Sequence, residues 1–149
     1  MDIGSELSFP LANLSNFTFH PFVIDDVQCS SMEGFLQSLK FEDIDKQREV
    51  CLLVGKEAKF KGKKKKWWRT QTLYWNGNEY KRESKSYQDL LDKAFQALSQ
   101  NEDFKKALLA TESSKLTHSI GKSDMTRTVL TEQEFVDRLT KIRDELNNE

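Results

Sequence analysis

Apolar residues recur at helical spacing in four stretches of this chain, and no other feature limits its fold as tightly. Met32, Phe35, Leu36 and Leu39 make one stripe; Leu90, Leu91, Ala94, Phe95 and Leu98 make a second. Phe104, Leu108 and Leu109 make a third, and Phe135, Leu139 and Ile142 a fourth. Each stripe is one face of an amphipathic helix that must be buried against a neighbour. The spacing predicts helices over about residues 31–42 and 87–99, another starting at Asn101 or Asp103, and a last one starting after Thr131. Ser86 with Asp89, and Thr131 with Glu134, have the spacing of capping boxes. One more helix is expected from Asp45 to about Leu53, stopped by Gly55. Strand signals are fewer. Residues 72–75 and 79–82 flank Asn76-Gly77-Asn78, and Asn-Gly is the strongest short hairpin signal. Phe22 to Val27 has strand composition with a turn at Asp25-Asp26. The expected class is therefore α+β: a helix-rich single domain with a small antiparallel β element. Residues 14–149 would form it, behind a loose lead-in of residues 1–13.

A chain of 149 residues is long enough for one sizeable core, and ten Phe and three Trp supply its mass against 32% charged residues. A net charge of -1 gives the whole molecule no bias toward anionic partners. Cys29 and Cys51 lie near apolar residues without CxxC spacing, which fits reduced structural thiols. The two imidazoles, His20 and His118, are not adjacent to either cysteine, so no metal site is expected; no cofactor is expected either. No apolar run approaches the roughly 20 residues needed to span a bilayer, and the N-terminus lacks the pattern of a signal sequence. The expectation is a cytoplasmic protein with no membrane partner.

Three stretches carry candidate chemistry. Glu33, Gln37 and Lys40 stand at i, i+4 and i+7, so they share a second face of the first helix. That face is either a solvated stripe or the wall of a polar pocket. Six lysines from Lys59 to Lys66 precede Trp67, Trp68 and Arg69. Such a loop combines phosphate attraction with rings that stack on bases; otherwise it is a solvated turn leading into core tryptophans. The stretch Leu116 to Leu130 is rich in hydrogen-bonding groups. Within it His118 is a general base or a structural hydrogen-bonder, and Asp124 a second carboxylate or a turn cap. No Ser-His-Asp order, P-loop or GxGxxG is present.

Taken in order, Leu14-Ser-Asn-Phe17, Pro21-Phe22, Asp26, Ser31-Met-Glu33, Gln37 and Lys40-Phe41 resemble the opening signature of the YbiA-like (NADAR) N-glycosidases. Gly55-Lys-Glu-Ala-Lys59, a tryptophan at 67 or 68, Lys93-Ala-Phe95 through Leu108-Leu-Ala-Thr111, and Leu116 through Asp124 continue the resemblance over most of residues 14–124. It is a divergent likeness. His118 precedes Ser119 where that family commonly has Glu, and Met125-Thr-Arg-Thr128 follows Asp124 where it has Trp-Gly. The resemblance implies cleavage of an N-glycosidic bond in a phosphorylated ribosyl or ADP-ribosyl conjugate. Examples are ADP-ribose on a guanine base and a ribosylamino-pyrimidine phosphate. It implies Glu33 and Asp124 as catalytic acids. Asn16, Phe17, Gln37, Lys40, Lys59, Trp67 or Trp68, His118 and Ser119 would be substrate contacts. The partner would be a small nucleotide or an ADP-ribosylated nucleic acid. The competing expectation is a non-catalytic nucleotide or nucleic-acid binding module built on the basic Lys61–Arg69 loop.

Overall fold

Two tight turns shape the β structure. The computed structural model, which describes residues 1–149, pairs β1 (Phe22–Ile24) with β2 (Val27–Cys29) around Asp25 and Asp26, whose φ angles are 49° and 63°. The turn expected at Asp25-Asp26 thus closes a hairpin of two short strands. It buries Phe22, Ile24, Val27 and Cys29 and turns Val23 and Gln28 outward. The Asp25 carboxylate accepts from Trp75 Nε1 at 2.8 Å and from Lys93 Nζ at 2.8 Å, pinning this turn to elements far along the chain. Trp75 closes the second hairpin, β3 (Thr72–Trp75) with β4 (Asn78–Lys81), turned at Asn76-Gly77 as the sequence predicts.

Six helices surround the hairpins. The first, α1 (Met32–Ser38), starts where Ser31 Oγ accepts from Gly34 N at 3.0 Å and donates to Leu53 O at 2.9 Å. Helix α2 (Ile44–Cys51) ends against it so closely that a Cβ at Gly34 would lie 2.6 Å from Leu53 O and 2.9 Å from Cys51 O. Both obstacles are backbone, so Gly34→Ala is expected to destabilise the protein by about 1–3 kcal/mol. Urea unfolding checks this; an unchanged midpoint would mean that the junction opens freely.

Gly55 differs from its expected role. It does not stop α2; it sits at φ 55° and opens α3 (Gly55–Lys63). The link between the two helices takes left-handed backbone at Gly55, which glycine supplies without steric cost. The first half of the lysine run is therefore helical rather than a loop. Residues 64–66 lead into a 3₁₀ turn at Trp67–Arg69. Helix α4 (Lys85–Leu98) is capped by Ser84, whose Oγ accepts from Tyr87 N at 3.1 Å, and not by Ser86. Asn101 caps α5 (Glu102–Leu109), and the Thr131–Glu134 capping box opens α6 (Glu132–Asn147).

The four predicted stripes meet in one core, except that Leu109 of the third faces solvent; Phe35 stands edge-on to both Phe22 and Trp75. The lead-in is not loose. Ile3 is fully buried, its N–H donates to Thr117 O at 2.8 Å, and Thr117 N donates to Met1 O at 2.9 Å. Residues 1–3 thereby hold the stretch that follows α5. No helix is long and apolar enough to cross a membrane.

Candidate active site

The polar face of α1 is not a solvated stripe. It forms one wall of a cavity of about 710 Å³ lined by Glu33, Gln37 and Lys40 together with Asn16, Phe17, Lys59, Trp67, Trp68 and His118. Three structural choices bring them together. Glu33 N donates to Asn16 O at 3.0 Å, so the loop before β1 is hung on the first turn of α1. Helix α3 crosses α1 and delivers Lys59 and Lys63. The segment after α5 delivers His118, Lys122 and Arg127 from the opposite side.

Glu33 is the one acid in this lining. Part of its surface faces the cavity, yet the protein crowded round its carboxyl desolvates it and pushes its pKa up. The hydrogen bond from Gln37 Nε2, at 2.9 Å, and the charges of Lys40, Lys59 and His118 oppose that rise without cancelling it. Lys40 shows the converse. Burial, with Lys122 and Lys59 adding repulsion, lowers its pKa to about 8 against the attraction of Glu33. A carboxyl more willing to hold a proton and an ammonium more willing to release one therefore share a site, as acid–base chemistry near neutral pH requires.

The tryptophans divide the two roles that the sequence left open. Trp67 is buried and belongs to the core, whereas Trp68 is 38% exposed at the rim. Arg127 lies over the Trp68 ring, its guanidinium 4.9 Å from the centroid, and Arg69 lies at 5.6 Å. Gln71 Nε2 donates to Trp68 O at 2.9 Å and to Thr126 O at 2.8 Å, fastening the tryptophan turn to the 124–128 turn.

Two expected site residues do not join the cavity. Asp124 is exposed, and its carboxylate accepts from Thr126 N at 3.0 Å and Thr126 Oγ1 at 2.7 Å, bonds that hold its pKa below the usual range. It shapes the turn that precedes Arg127 and does not line the cavity. Ser119 donates through its N–H and its hydroxyl to the carboxylate of Asp2. His118 does line the cavity, but its Nδ1 donates to Ile3 O at 2.9 Å and its ring stands edge-on to Phe135. Lys63 and Lys65 reach the lining from the basic run expected to attract phosphate, whereas Lys122 and Arg127 are lining cations that sequence reasoning did not single out. Their only signal was basic character within stretches already suspected. No group of three or more His, Cys, Asp or Glu side chains is arranged to hold a metal ion.

Residues 8–144 match the family model described as bacteriophage protein GP30.3. The chain belongs to this bacteriophage GP30.3 family. It is 39% identical over 152 residues to an uncharacterized 17.1 kDa protein encoded in the Gp30-rIII intergenic region of Enterobacteria phage T4, covering 98% of both chains. The fold of this GP30.3-family chain is similar to that of E. coli YbiA as solved by NMR, with a TM-score of 0.62 over 95% of this chain and 81% of YbiA, at 19% identity. The YbiA-like architecture expected from the opening signature is therefore present as a fold.

Proposed function

We propose that this protein is an N-glycosidase that hydrolyses the bond between a ribose C1' and a base nitrogen in a phosphorylated ribosyl or ADP-ribosyl conjugate. The observation that carries this reading is Glu33 alone among cations, in a cavity roomy enough for a nucleotide and rimmed by an aromatic ring. The likeness in fold to YbiA supports it, as does the order of the signature residues.

Cleaving the bond builds positive charge on the ribose and electron density on the departing nitrogen. Glu33 stabilises the oxocarbenium-like ribose or takes the proton of the attacking water. The leaving nitrogen needs a proton. Asp124, outside the cavity, is not placed to supply it; Lys40 holds its proton loosely enough to do so. Lys59, Lys122 and Arg127 attract phosphate, and Trp68 offers its ring to a base.

The test is incubation with ADP-ribosylated DNA and with ribosylamino-pyrimidine phosphates, followed by mass spectrometry for the released sugar. Binding without release would instead mark a pocket that only holds its ligand. The cation set carries its own expectation. Lys40 is charged below its pKa and neutral above it, so affinity for ribose 5-phosphate should fall as pH rises through about 8. Calorimetric titration across that range checks it, and a flat affinity would mean that the charge of Lys40 is not felt by the bound anion.

A further inference from the structure

Proton transfer asks one carboxyl to occupy one place in two states. Ionised, it only accepts hydrogen bonds; protonated, it also donates one. The charged groups facing Glu33 suit only the ionised state. They are Lys40 on its own helix, Lys59 from α3 and His118 from the segment after α5, with Lys122 facing Lys40 from that same segment. Gln37 is the exception. It is 7% exposed, its Nε2 donates to Glu33 Oε1 at 2.9 Å, and its own Oε1 is buried with no partner. That oxygen lies against α3, where a Cβ on Gly62 would come within 1.8 Å of it. A buried amide oxygen without a donor is rare. This one sits at the far end of an amide whose near end touches the site's only carboxyl.

We infer that Gln37 is a reversible pivot that presents its NH₂ to Glu33 when the carboxyl is ionised and its C=O when the carboxyl is protonated. The torsion that swaps the two ends is broad and nearly two-fold, so both orientations are accessible at one position of the chain. Gly62 leaves the space in which the outer end turns, and any side chain there would fill it. A proton arrives on, or leaves, a Glu33 oxygen; no other bond forms or breaks. The unpartnered Oε1 of the ionised arrangement becomes the acceptor of the protonated one. Gln37 is thus a positioning residue that lets Glu33 alternate between acid and base without moving. Its purpose rests on the glycosidase reading, but the pivot itself belongs to the protein without substrate.

The experiment is a pH titration of the full chain by NMR, with Glu ¹³C-labelled and Gln ¹⁵N-labelled, in the absence of any ligand. The Gln37 NH₂ is expected to show contacts to Glu33 protons on the alkaline side of the Glu33 midpoint. On the acid side it should show contacts to the Gly62 α-protons. In Glu33→Gln the Gln37 contacts should no longer follow pH. Contacts that stay the same across the Glu33 titration would overturn the pivot. Gln37→Met gives an independent measure, because it keeps the length and removes both polar ends. A pivot serves both states, so the Glu33 midpoint should then move by less than about one pH unit. A larger rise would make Gln37 a donor to the anion alone and overturn the inference. Neither readout needs turnover, so a protein that cleaves no glycoside would sink the proposed function and leave this result standing.

Discussion

Glu33→Gln is expected to leave the protein folded and to slow base release by about 10²–10⁴-fold, the usual cost of removing a positioned acid or base. The substitution keeps size and shape and deletes the negative charge together with the proton chemistry. Stability supplies the control. Burial raises the Glu33 pKa in the folded protein above its ordinary value of 4.5. A raised carboxyl contributes stability that is fully present below the unfolded-state pKa and lost as pH rises through the folded-state value. The parent therefore becomes less stable across that window while the variant does not. Denaturation midpoints of Glu33→Gln should equal or exceed those of the parent at neutral pH, with a gap that closes on acidification. Low activity with an unchanged or raised midpoint assigns the loss to chemistry. Parent-like turnover would remove Glu33 from the mechanism.

Arg82→Met is expected to cost about 3–5 kcal/mol, the largest stability effect of any single substitution considered for this chain. Arg82 is fully buried. Its Nε donates to Thr128 O at 2.8 Å, and its two terminal nitrogens form a fork on the Glu134 carboxylate. Glu134 also accepts from Thr131 N at 2.8 Å and Gln88 Nε2 at 2.7 Å. Nearby, Tyr87 donates its hydroxyl proton to Val129 O at 2.6 Å. One arginine thus joins the end of β4 to the segment 128–131 that lines the cavity and to the first turn of α6. Deleting it strands a carboxylate in a partly buried place. Replacing both partners, in Arg82→Met with Glu134→Leu, should recover part of the loss because no charge is then left unpaired. Burial pushes the Glu134 pKa up, but the bonds from Arg82, Thr131 and Gln88 outweigh it and hold the value below normal. That contribution is present above the unfolded-state pKa and is lost as pH falls through the folded-state one. Acid should therefore narrow the gap between Arg82→Met and the parent in urea titrations; a gap that stays constant with pH would argue against the ion pair as its source.

Local signals in the sequence proved reliable where one turn of backbone decides the outcome. Thr131 and Glu134 form their box, Asn101 caps α5, and Asn76-Gly77 turns its hairpin. These features need only neighbours within four residues. Ser84 took the cap expected at Ser86, and Gly55 opens a helix where a stop was expected. In both places two small residues or two helix ends lie close together in sequence, and packing chooses between them.

The site was legible in part for the same reason. Glu33, Gln37 and Lys40 share a face because helical geometry puts them there, whatever surrounds the helix. Whether that face met solvent or a cavity depended on α3 crossing it and on the segment after α5 closing it. Both are long-range contacts with no local signature. Asp124 and Ser119 show the limit. Each has the chemistry of a site residue and stands in the right segment, yet Thr126 and Asp2 hold their side chains away from the cavity. Lys122 and Arg127, in the same segment, reach it.

Five of the six helices, the hairpin turns, the stripe that carries Glu33 and the family-like order of the surrounding motifs are written in residues a few positions apart and were legible from the sequence by itself; α3 was not. Only the tertiary structure decided that the stripe is a pocket wall, that Trp67 is core and Trp68 rim, and that the first three residues brace the closing segment. The physical reason is desolvation: the same carboxyl is an ordinary surface group on an open helix and a proton-holding group once distant parts of the chain exclude water from it.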